Sequence, residues 1–129
     1  MIKAGIYIHF PFCRAKCIYC DFYSVARHEQ LIPCFIEALL NEIKHWPPDI
    51  SDWQFDTIFF GGGTPSLLTP EQLERILLAL SERFDLSAVR ELTIEANPGT
   101  ADKDKLRAWR ELGVNRLSLG IQSFNDDNL

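Results

Sequence analysis

The 129-residue chain has no apolar run long enough to cross a bilayer, which excludes a transmembrane helix. Its amino terminus lacks a basic region, a long apolar stretch and a cleavage site. Nothing there marks export, so its cysteines are expected to be reduced thiols of a cytoplasmic protein. Positive charge is scarce: 13 Lys and Arg face 18 Asp and Glu, a net charge of -5 without the basic footprint of a nucleic-acid binder. Arg14, Lys16 and Arg27 form one local group that could still meet an anionic substrate. Low-complexity segments and interdomain linkers are also missing, and 47% hydrophobic residues fit one core. The glycine run Gly61-Gly62-Gly63 has neither the Gly-Lys-Ser/Thr of a Walker A loop nor the G-x-G-x-x-G of a dinucleotide fingerprint.

What the chain does contain is Cys13-x3-Cys17-x2-Cys20, three of its four cysteines, directly after the apolar run Gly5-Ile6-Tyr7-Ile8-His9-Phe10. Closely spaced cysteines commonly bind zinc, but a structural zinc site needs a second Cys or His hook. Here His28 and His45 stand alone, and His9 would have to fold back from a strand. An iron-sulfur cube normally takes four cysteines, so three thiolates would leave one iron open to a substrate or cofactor. The spacing by itself leaves both readings standing. Cys34 falls on the polar side of a helix with Glu37 and Asn41 and reads as a structural or surface thiol.

The rest of the chain alternates short β-type runs with amphipathic helices. Ile32, Phe35, Ile36, Leu39, Leu40 and Ile43 recur at helical period before Trp46-Pro47-Pro48. Phe55 to Phe60 reads as a second strand. Thr69, Pro70 and Gln72 then spell an N-cap, a first helical position and a capping box ahead of Leu73, Ile76, Leu77 and Leu80. Glu91 to Ala96 is a third strand. A third helix from about Asp102 to Leu112 carries Leu106, Trp109 and Leu112 and stops at Gly113, and Arg116 to Ile121 is a fourth strand.

This order predicts an α/β fold with parallel strands joined by helical crossovers. Strand faces choose between an open sheet and a barrel. Ile6, Ile8 and Phe10 oppose Tyr7 and His9; Leu92, Ile94 and Ala96 oppose Thr93, Glu95 and Asn97; Leu117, Leu119 and Ile121 oppose Ser118, Gly120 and Gln122. Helices are expected to cover the oily face. A closed eight-stranded barrel fills its interior with branched apolar side chains, so a phenol, an imidazole, a carboxylate and an amide on the inner face point to a partial parallel (β/α) barrel around a polar ligand. Every unusual motif follows the carboxyl end of a strand, where barrel enzymes carry their sites.

Each motif alone has a plainer reading. Gly61 to Gly63 can be a turn, or can let a ligand approach where a Cβ would intrude. Glu95 can be an ion-paired barrel residue, Asn97-Pro98 simply ends a strand, and Gln122 suits a structural amide as well as a ribose or carboxylate.

Taken together the residues resemble a family. The three cysteines with Tyr19 beside the last carry the signature of the radical S-adenosylmethionine superfamily. Tyr7-Ile8-His9-Phe10-Pro11-Phe12-Cys13, Gly61-Gly62-Gly63-Thr64-Pro65-Ser66, Glu95-Ala96-Asn97-Pro98-Gly99 and Gly113 to Phe124 are similar to the oxygen-independent coproporphyrinogen III oxidase group and its haem-chaperone relatives. The resemblance implies a [4Fe-4S] cluster on Cys13, Cys17 and Cys20, with the free iron chelating the amino and carboxylate groups of S-adenosylmethionine. It implies that Tyr7 and Tyr19 touch that molecule, that Gly62, Gly63 and Thr64 line its methionine part, and that Glu95 and Gln122 hold polar atoms of the same or a second copy. One-electron reduction would then cleave the sulfonium to methionine and a 5′-deoxyadenosyl radical.

The oxidase pattern follows its third cysteine with x-Cys, whereas this chain reads Cys20-Asp21-Phe22. That form resembles the haem-chaperone branch, whose members carry haem to acceptor proteins, and sets porphyrinogen decarboxylation second. A zinc-stabilised binding module is the alternative of another class. The expected partners are S-adenosylmethionine, haem or a porphyrinogen, a one-electron donor protein and haem acceptors, with no nucleic acid. By the same resemblance, residues 1–129 are the N-terminal part of a core domain, holding its first four strands and three helices.

Overall fold

The structure, a computed structural model, describes residues 2–13, 25–26, 29–46, 50, 52–97, 99 and 101–119. Four strands form one parallel sheet: β1 (Ile2–Phe10), β4 (Trp53–Gly62), β5 (Glu91–Ala96) and β6 (Arg116–Leu119), adjacent in that order. Two short strands that the sequence pattern did not signal, β2 (Phe12–Cys13) and β3 (Val25–Ala26), pair in parallel at the end of β1. Three helices, α1 (Ile32–Lys44), α2 (Pro70–Arg83) and α3 (Lys103–Glu111), connect the strands of the main sheet. The fourth strand, expected to reach Ile121, is described as far as Leu119.

The helices form where local chemistry starts and stops them. Thr69 Oγ1 accepts from the Gln72 N–H at 3.1 Å while the Thr69 N–H donates to Gln72 Oε1 at 2.9 Å, completing the capping box with Pro70 at the first turn. Asp102 caps α3 by accepting from the Lys105 N–H at 2.8 Å. Gly113, at φ +109°, turns the chain out of α3, with the Val114 N–H reaching back to the Trp109 carbonyl at 3.0 Å. Asn115 then ties the outgoing strand to β5. Its Oδ1 accepts from the Leu92 N–H and its Nδ2 donates to the Arg90 carbonyl.

The core lies between one sheet face and the helices. Ile8, Phe10, Ile58, Phe60, Leu92 and Ile94 meet Ile36, Ile43, Leu73, Ile76, Leu80 and Trp109 there. β4 carries a bulge. The register with β1 slips between Ala4 and Gly5, so that Phe55 and Thr57 are the partners on β4 and Asp56 is an extra residue. This bulge lets Phe55, Ile58 and Phe60 all face the helices, and the spare Asp56 carbonyl accepts from the Arg90 N–H at 2.9 Å. Cover fails at one place: Leu117 and Leu119 on β6 are 37% and 54% exposed, against the expectation that helices mask the whole oily face. Trp109 of α3 and Val114 just after it join the buried core, whereas Leu117 and Leu119 of β6 do not.

Candidate functional site at the carboxyl ends of the strands

The strand leading to the first cysteine is fixed from two sides. On the helix side Phe10, Phe12 and Phe35 form an aromatic trio with ring centroids 5.3 to 5.8 Å apart, and Phe12 is buried. Burial of each such ring contributes roughly 1.5–3 kcal/mol, enough to hold the backbone at Pro11 and Phe12. On the other side the glycine loop continues the pairing beyond β4. The Gly63 N–H donates to the Phe10 carbonyl and the Thr64 N–H to the Phe12 carbonyl, each at 2.7 Å. Backbone entry into Cys13 is therefore clamped by the loop that the sequence placed beside it.

Two glycines of that loop are closely approached by their neighbours. A Cβ on Gly61 would meet the Glu95 carboxylate, the Phe59 ring at 2.8 Å and the Tyr7 hydroxyl at 2.9 Å. One on Gly62, at φ +111°, would meet the Phe10 carbonyl at 2.6 Å and the His9 ring at 3.0 Å. The space that a Cβ would take at either position is filled by the chain's own side chains and backbone.

Around them the inner face gathers Tyr7, His9, Phe59, Thr93 and Glu95. Tyr7 Oη lies 3.2 Å from His9 Nδ1, and the Tyr7 and Phe59 rings sit 5.9 Å apart. Burial pushes the Glu95 carboxyl above its ordinary value, opposed by the hydrogen bond from the Gly62 N–H and by His9. Partial burial and the Glu95 charge push the Tyr7 phenol up as well. Thr64 and Ser66, 2% and 0% exposed, are held by two residues that no motif in the sequence singled out for this purpose. Asn97 Nδ2 donates to Thr64 Oγ1 at 3.1 Å, and Lys105 Nζ donates to the Ser66 carbonyl at 2.5 Å. The sequence pattern puts Asn97 on the inner face at a strand end and Lys105 within the third helix, and neither position names its partner.

Of the ten expected site residues, the structure brings Tyr7, Gly62, Gly63, Thr64 and Glu95 to one end of the sheet and puts the Cys13 backbone beside them. Cys17, Tyr19, Cys20, Gln122 and the Cys13 side chain lie outside the described residues. Among the described residues no group of three metal-ligating side chains occurs. Cys34 is exposed on α1, on the polar side where its spacing put it. The polar side chains described here, a phenol, a carboxylate and a hydroxyl, suit a small zwitterionic or polyhydroxyl ligand, as S-adenosylmethionine is.

Comparison with known proteins gives a consistent picture. The sequence model for the Radical SAM superfamily matches residues 7–129. The chain is 42% identical over 120 residues to the heme chaperone HemW of Lactococcus lactis, covering 93% of this chain and 31% of that protein. To the heme chaperone HemW of Escherichia coli it is 41% identical over 126 residues, 97% of this chain and 33% of that protein. Among solved structures, the radical SAM enzyme coproporphyrinogen III oxidase (HemN) from Escherichia coli superposes with a TM-score of 0.87 at 33% identity. The match covers 98% of this chain and 29% of that one. The chain spans about a third of the length of the curated relatives it matches.

Proposed function

The chain belongs to the radical SAM superfamily, and from that premise we propose that it forms the cofactor-binding part of a haem chaperone, with a [4Fe-4S] cluster on Cys13, Cys17 and Cys20. The observation that carries the proposal is the clamp of the glycine loop on the strand ending at Cys13, with Glu95 and Tyr7 set against Gly61 of the same glycine run. S-adenosylmethionine would lie over this end of the sheet, with Gly62, Gly63 and Thr64 along its methionine part and Tyr7, Tyr19, Glu95 and Gln122 at its other polar atoms. A cluster held by these cysteines would supply one-electron reducing chemistry. The chain's own residues would hold the loop in place and offer a hydroxyl and a carboxylate to polar atoms of the ligand.

The haem role rests on the chaperones of about 40% identity over nearly the whole chain, and on Phe22 standing where the oxidase pattern has a further cysteine. Residues 1–129 would then be the first part of a longer core domain, and the electron donor and haem acceptors would be other proteins of the cytoplasm. The likeness to the oxidase structure favours a second reading, oxidative decarboxylation of a porphyrinogen. Anaerobic reconstitution of the full-length protein with iron and sulfide tests both. The expected result is a brown protein that loses its colour on substitution of Cys13, Cys17 or Cys20 but not of Cys34, and that retains haem without converting coproporphyrinogen III. Turnover of that substrate would reverse the order, and tight zinc binding without cluster uptake would end both readings.

A further inference from the structure

Thr64 is buried, and its hydrogen bonds are largely committed. Its N–H is spent on the Phe12 carbonyl at 2.7 Å. Its hydroxyl oxygen accepts from Asn97 Nδ2 at 3.1 Å, from the end of the neighbouring strand and 33 residues away in sequence. A hydroxyl has one proton and two lone pairs and normally rotates to suit its surroundings. Once a lone pair faces an amide N–H, the proton has to point away from Asn97.

We infer that Asn97 is a positioning residue that sets the polarity of Thr64, fixing its hydroxyl as a donor to an oxygen acceptor of S-adenosylmethionine. The inference rests on the cofactor reading given above and adds to it a residue outside the cofactor-contact set. Polarity matters because β5, the strand that leads into Asn97, also carries Glu95, which is acceptor-only when ionised. A threonine free to rotate could present lone pairs beside that carboxylate and repel a ligand oxygen, whereas a fixed donor gives the site one donating and one accepting end. Lys105 supports the same geometry by holding the Ser66 carbonyl two residues further on.

Asn97→Asp tests this because the substitution keeps shape and reverses direction. A carboxylate at 97 can only accept, so the Thr64 proton turns towards it and the ligand faces a lone pair. The full-length, cluster-loaded protein is expected to bind S-adenosylmethionine about tenfold more weakly by equilibrium dialysis, the loss of roughly one hydrogen bond. The change in the reduced cluster's EPR signal on adding S-adenosylmethionine should then need correspondingly more ligand. Asn97→Ala, which frees the hydroxyl without reversing it, should cost about threefold. Thr64→Val separates the hydroxyl from the added charge: in that background Asn97→Asp should cost nothing further, while a through-space effect of the new charge would persist. Wild-type affinity in Asn97→Asp or in Asn97→Ala, or an undiminished effect in the Thr64→Val background, overturns the inference. A wild-type protein that binds no S-adenosylmethionine overturns the functional reading itself, a separate outcome visible before any variant is made.

Discussion

The carboxylate of Glu95 occupies the space that a side chain at Gly61 would need, although the two residues belong to different strands. The absence of a side chain at Gly61 leaves room for the Glu95 carboxylate, which accepts from the Gly62 N–H. Phe59 and the Tyr7 hydroxyl close the other sides of the same gap.

Gly61→Ala should therefore destabilise the fold by about 1–3 kcal/mol, the usual cost of overpacking. Much of that cost should disappear in the Gly61→Ala, Glu95→Ala double variant. Denaturant melts of the four proteins of the cycle check it, and strictly additive losses would count against the shared space.

Gly62→Ala should be worse than Gly61→Ala. Its obstacle at 2.6 Å is the backbone carbonyl of Phe10, which cannot rotate aside, and φ is +111°. Left-handed backbone adds about 1–2 kcal/mol for a residue with a Cβ. Since the displaced carbonyl leads towards Cys13, the variant should also take up less iron per chain on reconstitution. A Gly62→Ala protein as stable as Gly61→Ala would contradict the ranking.

The pH dependence of stability carries the signature of Glu95. Its carboxyl is raised in the folded state from an ordinary value of 4.5, chiefly by burial, so the folded protein binds this proton more tightly than the unfolded chain does. Its contribution is most favourable below the ordinary value and declines as pH rises through the raised one. Glu95→Gln should flatten that part of the profile and leave the protein relatively more stable at neutral pH. Chemical melts at half-unit pH steps measure the slope, and an unchanged slope in the variant would remove Glu95 as its source.

Thr69→Ala removes one half of the capping box at the start of α2 and should cost about 1 kcal/mol. Thr69→Ser should restore most of it. Because this cap lies outside the cofactor-contact set, affinity for S-adenosylmethionine should stay within about twofold, and a larger change would mean that α2 carries strain into the glycine loop.

Much of the architecture could be read in advance because it depends on neighbours in sequence. The capping box of Thr69 and Gln72, the stripe from Ile32 to Ile43 and the stop at Gly113 are each decided within a few residues, and each stands where the pattern put it. The bulge at Asp56 was not legible, since it exists only in the register of β4 against β1. Nor was the pairing of β2 with β3, two residues long on each side.

For the candidate site the division is similar. Cysteine spacing, the glycine run and the alternation that puts Tyr7, Glu95 and Thr93 on one face are properties of the chain read along its length, because side-chain direction in a strand is fixed by a two-residue period. Which of those groups touch is decided between strands. The register of β4 against β5 pairs Phe60 with Ile94, and that offset brings Glu95 to Gly61 and the Asn97 amide to the Thr64 hydroxyl. Sequence supplied the donors and acceptors, while only the tertiary register determined their partners, because contacts between parallel strands join residues separated by an entire crossover.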